Sequence, residues 1–117
     1  MSLKPVPFGE VPALTARVAR AAFPKGTLCM RIRDAVGQVF SDEQFAELFS
    51  SRGRAGWSPA RLAWVLVLQF VENLTDRAAA DAVRSRIDWK YLMGLDLEDP
   101  GFDFSVLSEF RDRLVTA

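Results

Sequence analysis

Hydrophobic residues recur three and four positions apart along most of the chain, the spacing of one helix face, and no stretch alternates convincingly as a strand does. The first such stripe begins after Ala13 and comprises Leu14, Val18, Ala21 and Ala22. The second follows Thr27, a residue type that caps helices, and comprises Leu28, Ile32, Ala35, Val36 and Val39. Each stripe predicts a short amphipathic helix, with Arg33 on the outer side of the second.

Two start signals mark the middle of the chain. Ser41 with Gln44 forms a capping box, which predicts a third helix with Phe45, Leu48 and Phe49 inward. Ser58-Pro59 predicts a fourth helix, because serine caps free N–H groups and proline has none to lose at the first helical position. Between about 59 and 73 the residues are apolar nearly all round, which is typical of a central helix with neighbours on several sides.

The last third of the chain predicts three more short helices. Thr75 caps a segment over about 76–87, with small side chains inward and a charged outer face formed by Arg77, Asp81, Arg84 and Asp88. Trp89 to Met93 continues into a short helix that Gly94 ends, and Asp103 or Ser105 caps a final helix. The inward residues predicted for that final helix are Val106, Leu107, Phe110 and Leu114, with Phe102 and Phe104 as anchors of the acidic loop before it.

These elements predict an all-α fold, a single-domain bundle of about six to seven short helices around the hydrophobic helix at 59–73. The domain covers residues 13–117, and residues 1–12 form an extended arm because Pro5, Pro7 and Pro12 disfavour helix.

Composition excludes several kinds of chemistry. The chain has one cysteine, Cys29, and no histidine, so Cys/His zinc sites and histidine-based catalysis are excluded, and no glycine-rich phosphate loop is present. Asp96, Glu98 and Asp99 could ligate a hard cation, but without a recognised loop pattern we expect no metal and no cofactor. Without a signal peptide or an apolar run near the roughly 20 residues of a membrane span, we expect a cytoplasmic protein that makes no membrane contact.

Charge is balanced overall but segregated along the chain. Fifteen basic and fifteen acidic residues argue against a protein that coats nucleic acid indiscriminately. Residues 1–40 carry six basic and two acidic side chains, whereas residues 92–117 carry six acidic and two basic ones. Opposed ends can steer a partner or pair with each other, and the sequence does not choose between these alternatives.

The segment 59–87 has the layout of a helix-turn-helix, in which the second helix lies in the major groove of DNA. On this interpretation Thr75, Arg77 and Asp81 lie nearest the bases, and Arg84, Arg86 and Lys90 reach phosphates. The alternative is that these charges pair along the helix and only solvate it.

Two further sets of residues have similar alternatives. Arg52, Arg54 and Arg61 bracket the loop before the central helix and either clamp a phosphate or belong to an ordinary solvated loop. The tryptophans either stack on bases or belong to the core; they are Trp57, Trp64 and Trp89.

Residues 69–114 resemble the N-terminal, InsH-like domain of DDE-type insertion-element transposases, notably in Leu74-Thr75-Asp76-Arg77, in 84–91 and in 103–114. Residues 56–68, where Pro59 opens a hydrophobic helix, are similar to the same family. The resemblance implies a helical domain placed ahead of a ribonuclease-H-like catalytic core. It also implies recognition of the element's terminal inverted repeats and assembly of transposase subunits.

The catalytic acids of that family belong to the domain that follows, so we expect this chain not to be an enzyme. The sequence therefore predicts a DNA-binding and assembly module that acts as a homo-oligomer on double-stranded terminal repeats. The alternative is a protein–protein interaction or dimerisation module, or a regulator derived from a truncated transposase, that does not bind DNA specifically.

Overall fold

The computed structural model describes residues 10–37 and 57–116. Over these ranges the chain forms helices and no strand, which confirms the all-α fold class. The helices are α1 (Ala13–Ala22), α2 (Leu28–Val36), α3 (Pro59–Glu72), α4 (Asp76–Ser85), α5 (Ile87–Met93) and α6 (Ser105–Thr116). Most of the predicted arm, the predicted Ser41 helix, Val39, Arg52 and Arg54 lie outside the described residues.

The helix ends follow the predicted caps. Thr27 accepts a hydrogen bond from the Met30 N–H at 3.3 Å, and Ser58 accepts one from the Arg61 N–H at 3.3 Å ahead of α3. Thr75 accepts one from the Ala78 N–H at 3.0 Å. Gly94 ends α5 in the left-handed conformation, at φ 69°, as the sequence predicts. The helix predicted over 76–87 is shorter than expected, because it ends at Ser85 and α5 begins after Arg86.

The described residues belong to two compact units, and α5 organises the first of them, which contains residues 10–37 and 86–99. Both α1 and α2 pack against α5, where Trp89, Leu92 and Met93 are completely buried. Ala19 of α1, Met30 of α2 and Tyr91 of α5 form one hydrophobic cluster. The core of the first unit is therefore formed around the short helix α5, and not around the long apolar helix that the sequence predicts at 59–73.

The inward faces predicted for α1 and α2 are wrong. In α1 the buried residues are Thr15 and Ala19, while Leu14 is 50% exposed. The Thr15 hydroxyl donates to the Leu95 carbonyl at 2.7 Å, which allows a polar residue to occupy the buried position.

In α2 the same reversal occurs. Arg33 is only 8% exposed and donates to the Leu92 carbonyl at 2.8 Å, and burial lowers the pKa of its guanidinium. Leu28 and Val36, predicted inward, are both about half exposed. Cys29 of the same helix is buried.

A polar network also joins the helices of the first unit. The Tyr91 hydroxyl donates to the Asp34 carboxylate at 2.6 Å and accepts from the Arg20 guanidinium at 2.8 Å. Burial is the largest cause that raises the pKa of the Tyr91 phenol, and the hydrogen bond to Asp34 adds to it. Tyr91 thus links α1 and α2 to α5 through groups on both partners.

The second unit contains residues 57–85 and 100–116, and in it α3 packs against both α4 and α6. The apolar residues buried in this unit are Ala60, Leu62, Ala63, Trp64, Val65, Leu68, Ala79, Ala80, Ala82, Val83, Leu107 and Phe110. The predicted burial of α3 on all sides does not extend to its C-terminal half, where Val67, Phe70 and Val71 are exposed. Leu114 of α6, predicted inward, is 36% exposed.

The loop before α6 is attached to this unit at two points. The Trp57 indole N–H donates to the Gly101 carbonyl at 3.1 Å, and its ring meets Phe102 edge-on at 4.8 Å. Gly101 adopts φ +75°, and a Cβ there would lie 3.4 Å from Val83. The left-handed conformation favours glycine at this turn, whereas a distance of 3.4 Å is an ordinary van der Waals contact.

Thr15→Val should lower the free energy of unfolding by about 1–3 kcal/mol, because it leaves the buried Leu95 carbonyl without its donor while preserving side-chain volume. Thr15→Ser keeps the hydroxyl and is the matched control, with a smaller expected loss. Urea denaturation of both variants measures the difference. A Thr15→Val protein as stable as Thr15→Ser would show that this hydrogen bond contributes little.

Candidate nucleic-acid interface

The exposed side of α4 is the largest part of the predicted DNA site that the structure describes. Ala79, Ala80, Ala82 and Val83 are buried on the opposite side of the same helix. Because α4 is helical throughout this span, their burial turns Arg77, Asp81 and Arg84 toward solvent. The sequence prediction of a charged outer face is therefore confirmed for these three residues.

Asp76, in the first turn of α4, is held by a network that the sequence did not predict. Its carboxylate accepts two hydrogen bonds from the Arg111 guanidinium, at 2.9 and 2.8 Å, and one from the Gln69 amide at 2.8 Å. These bonds, that of Arg111 foremost, lower the pKa of the Asp76 carboxyl, and the bond to Asp76 raises the pKa of Arg111. No local pattern in the sequence signals this partner, because Arg111 lies 35 residues away from Asp76.

Arg77 lies over an aromatic ring. Its guanidinium carbon is 4.2 Å from the centroid of Phe104, a cation–π distance. Phe104 directly precedes α6 and is half-buried, in line with its predicted role as an anchor. The Ser105 hydroxyl and N–H both donate to the Asp103 carboxylate. These hydrogen bonds are the main reason that the pKa of the Asp103 carboxyl is lowered, and the charge of Arg77 lowers it to a smaller extent.

Asp81 and Arg84 form an ion pair on the surface of α4. Their charged groups are 2.8 Å apart, and both side chains are more than half exposed. Such an exposed pair contributes little to stability, so both groups can exchange partners readily. The other opposite charges at helical spacing here, Arg77 with Asp81 and Arg84 with Asp88, form no ion pair within the described residues.

The predicted contacts that follow α4 belong to the first unit. Asp88 was predicted on an outer face, but it is buried in this unit. Its carboxylate accepts two hydrogen bonds from the Arg86 guanidinium, at 3.0 and 3.1 Å. Arg86 also lies 5.6 Å from the Trp89 ring centroid. Lys90 is only 2% exposed, and its ammonium donates to the Asp99 carbonyl at 2.8 Å. Because its charge is engaged away from solvent, Lys90 is removed from the candidate phosphate contacts.

The remaining candidates are placed as follows. Arg61 is half-buried in the first turn of α3, and Thr75 is exposed at the start of α4. Trp64 and Trp89 are buried at 6% and 0% exposure, which confirms the core interpretation and leaves neither ring accessible for stacking on a base.

Two alternative kinds of site can be assessed on the described ranges. Residues 10–37 and 57–116 contain no group of three or more cysteine, aspartate or glutamate side chains placed to hold a metal ion, so Asp96, Glu98 and Asp99 do not converge. None of the helices in these ranges combines the length and the hydropathy that crossing a bilayer requires.

Comparison with known proteins gives one finding. Residues 17–113 match the family described as Transposase domain (DUF772). This span includes the candidate face of α4, the Asp76–Arg111 pair, all of α2 to α5, and parts of α1 and α6. No curated protein and no solved structure shows a significant match to the chain.

Asp76→Asn should destabilise the protein by about 1 kcal/mol at pH 7, because it removes the charge that Arg111 pairs with. The carboxyl pKa is lower in the folded state, so this stabilisation is complete above the ordinary aspartate value near 3.9 and is lost as the pH falls through the lower folded value. The gap between wild type and variant should therefore narrow below about pH 4.

Urea denaturation at a series of pH values measures this gap. Asp103 has a lowered pKa as well, but it is present in both proteins and cancels in the difference. A gap that stays constant down to about pH 3 would show that the Asp76 charge does not contribute to stability in this way.

Proposed function

Because the chain belongs to the transposase domain family DUF772, we propose that it is a DNA-binding and assembly module without catalytic activity of its own. In this proposal the exposed side of α4 contacts double-stranded DNA, namely the terminal inverted repeats of an insertion element. The observation that carries the proposal is the pair of exposed arginines, Arg77 and Arg84, on a helix whose other side is fixed by packing.

The connection between α3 and α4 supports this function. Asn73, in the left-handed conformation, ends α3, and Thr75 caps α4. Two packed helices joined by so short a break have the layout of a helix-turn-helix, whose second helix places its first turns against base edges. Thr75 and Arg77 occupy those first turns, and Asp81 and Arg84 lie farther along.

The charges at the start of α4 also favour an anionic partner. Asp76 would repel a phosphate, but two hydrogen bonds from Arg111 neutralise it. Arg77 has no carboxylate hydrogen-bonded to it within the described residues. The Asp81–Arg84 pair is exposed, so Arg84 can turn to a phosphate at small cost. Arg61 and Arg86 are proposed as additional phosphate contacts.

The balanced charge of the chain favours DNA binding through a few specific contacts over binding through overall electrostatic attraction. A net charge of zero gives weak attraction to DNA as a whole, so affinity must come from a few positioned groups. In an assembly of two copies, each copy would bring one α4 to one of the two inverted repeats, which lie at opposite ends of the element.

A second candidate function is self-association without specific DNA binding. It is favoured by the apolar side of the C-terminal half of α3, where Phe70 is 86% exposed and Val67 and Val71 lie within one turn of it. Side chains three and four positions apart form one continuous strip, which a second copy of the same helix can cover.

Arg77→Ala and Arg84→Ala should each weaken DNA binding about tenfold without lowering the melting temperature, because both side chains are exposed. Each should also reduce the slope of log affinity against log salt by about 1 if the contact is to a phosphate. The probe is a duplex of about 30 base pairs, roughly three helical turns, selected from a random pool on the wild-type protein, with its scrambled sequence as competitor.

Arg31→Ala is the matched control, since it removes one exposed arginine from a helix of the other unit. Equal losses for Arg31→Ala and Arg77→Ala would assign the effect to general charge. Unchanged affinity in both α4 variants would move the DNA contact elsewhere, and equal weak binding to selected and scrambled duplexes would refute specific recognition.

Phe70→Ser should convert an oligomer into a monomer if the strip on α3 mediates self-association, because Phe70 is its most exposed apolar side chain. Size-exclusion chromatography with light scattering, with and without the selected duplex, measures the mass. Leu28→Ser is the control, as it changes a half-exposed residue of the other unit. An oligomer that survives Phe70→Ser would exclude this strip as the interface.

A further inference from the structure

We propose that Phe104 is a positioning residue for Arg77, holding the guanidinium so that its edge can bind a pair of acceptor atoms on DNA. This inference rests on the proposed function, since it assigns a role in DNA binding to a residue that does not itself contact the DNA. It concerns the turn before α6, a segment that lies outside the helix-turn-helix layout.

The contact with the Phe104 ring pairs no N–H donor of Arg77 with a hydrogen-bond acceptor atom. The guanidinium carbon is 4.2 Å from the ring centroid, so the ion contacts the ring while its N–H donors lie in its own plane. Arg77 is exposed and has no hydrogen bond or ion pair among the described residues. The planar fork can therefore donate to two oxygens of a phosphate, or to the O6 and N7 atoms of a guanine, while the side chain stays against the ring.

Stacking before binding reduces the entropic cost of the contact. An exposed arginine samples many rotamers, and fixing it against a ligand loses that freedom. A side chain already held by an aromatic ring loses less when the DNA arrives, so the same hydrogen bonds give a higher affinity.

The backbone that carries the Phe104 ring is held by hydrogen bonds at the start of α6. Asp103 accepts from both the N–H and the hydroxyl of Ser105, at 3.0 and 2.6 Å, and the Leu107 N–H donates to the Phe104 carbonyl at 3.1 Å. Asp103 attracts Arg77 electrostatically, but its Oδ2 is already occupied by Ser105.

The α6 segment meets the first turn of α4 a second time through Arg111, which holds Asp76, the neighbour of Arg77. Two adjacent residues of α4 are thus oriented from the same helix and its preceding turn. One of these contacts removes a negative charge from the surface offered to DNA, and the other places a positive charge on it.

Phe104→Leu removes the aromatic face and should weaken binding to the selected duplex about threefold. Phe104→Tyr keeps the ring and should bind as the wild type does. Phe102→Leu is the matched control: it makes the same change two residues away, on a ring that contacts Trp57 instead, and should leave the affinity unchanged. Melting temperatures of all variants separate loss of fold from loss of positioning.

The decisive readout is a double-mutant cycle on DNA affinity. If Phe104 acts through Arg77, Phe104→Leu has no further effect in the Arg77→Ala background. A loss confined to the selected duplex assigns the acceptor pair to base edges, and an equal loss on the scrambled duplex assigns it to phosphates; both support the positioning role.

Two outcomes would overturn the inference, and they differ. If Arg77→Ala weakens binding but Phe104→Leu does not, or if Phe104→Leu costs the same with and without Arg77, Phe104 has no positioning role and the proposed function stands. If Arg77→Ala itself leaves the affinity unchanged, the proposed DNA contact on α4 fails, and the positioning role fails with it.

Discussion

Close packing of α4 through small side chains is the constraint on which the candidate interface depends. Ala79, Ala80, Ala82 and Val83 are buried in the unit where α3 and α6 contact this helix. Alanines allow helix axes to approach closely, and a helix held on that side cannot rotate without exposing them. The orientation of its charged residues therefore follows from the core rather than from surface ion pairs, which contribute little.

Interactions from α6 then adjust the charge of the exposed surface. Arg111 neutralises Asp76, and Phe104 lies against Arg77, so the beginning of α4 presents a positive group beside a compensated negative one. The C-terminal part of the chain is acidic, and its net charge alone would oppose DNA binding. It nevertheless contributes an arginine and an aromatic ring to the start of α4, where both favour an anionic partner. Local arrangement, not net charge, decides what this surface can bind.

Helix ends could be predicted from the sequence because caps are local. Thr27, Ser58, Thr75 and Gly94 act on groups within a few residues of themselves. The buried faces of α1 and α2 could not be predicted, since Thr15 finds its acceptor 80 residues away. The hydrophobic stripe did not predict the buried face, because a backbone carbonyl from another segment can hydrogen-bond a polar side chain and allow it to be buried instead.

The same limit applied to the candidate site. The outward placement of Arg77 and Arg84 could be predicted because small and charged residues recur at helical spacing and so fall on opposite faces of one helix. The burial of Lys90 could not, because it depends on the Asp99 carbonyl in the following loop. Nor could the partners of Asp76 and Arg77, which come from a helix and a turn about 30 residues later.

In the proposed function, the solvent-facing side of α4 is the surface that contacts DNA. Backbone amide chemical shifts, recorded while the selected duplex is added to isotope-labelled protein, test it residue by residue. The largest changes should cluster between Thr75 and Ser85, with smaller ones at Phe104 and Arg111. Changes concentrated in α1 and α2, with α4 unaffected at saturation, would contradict it.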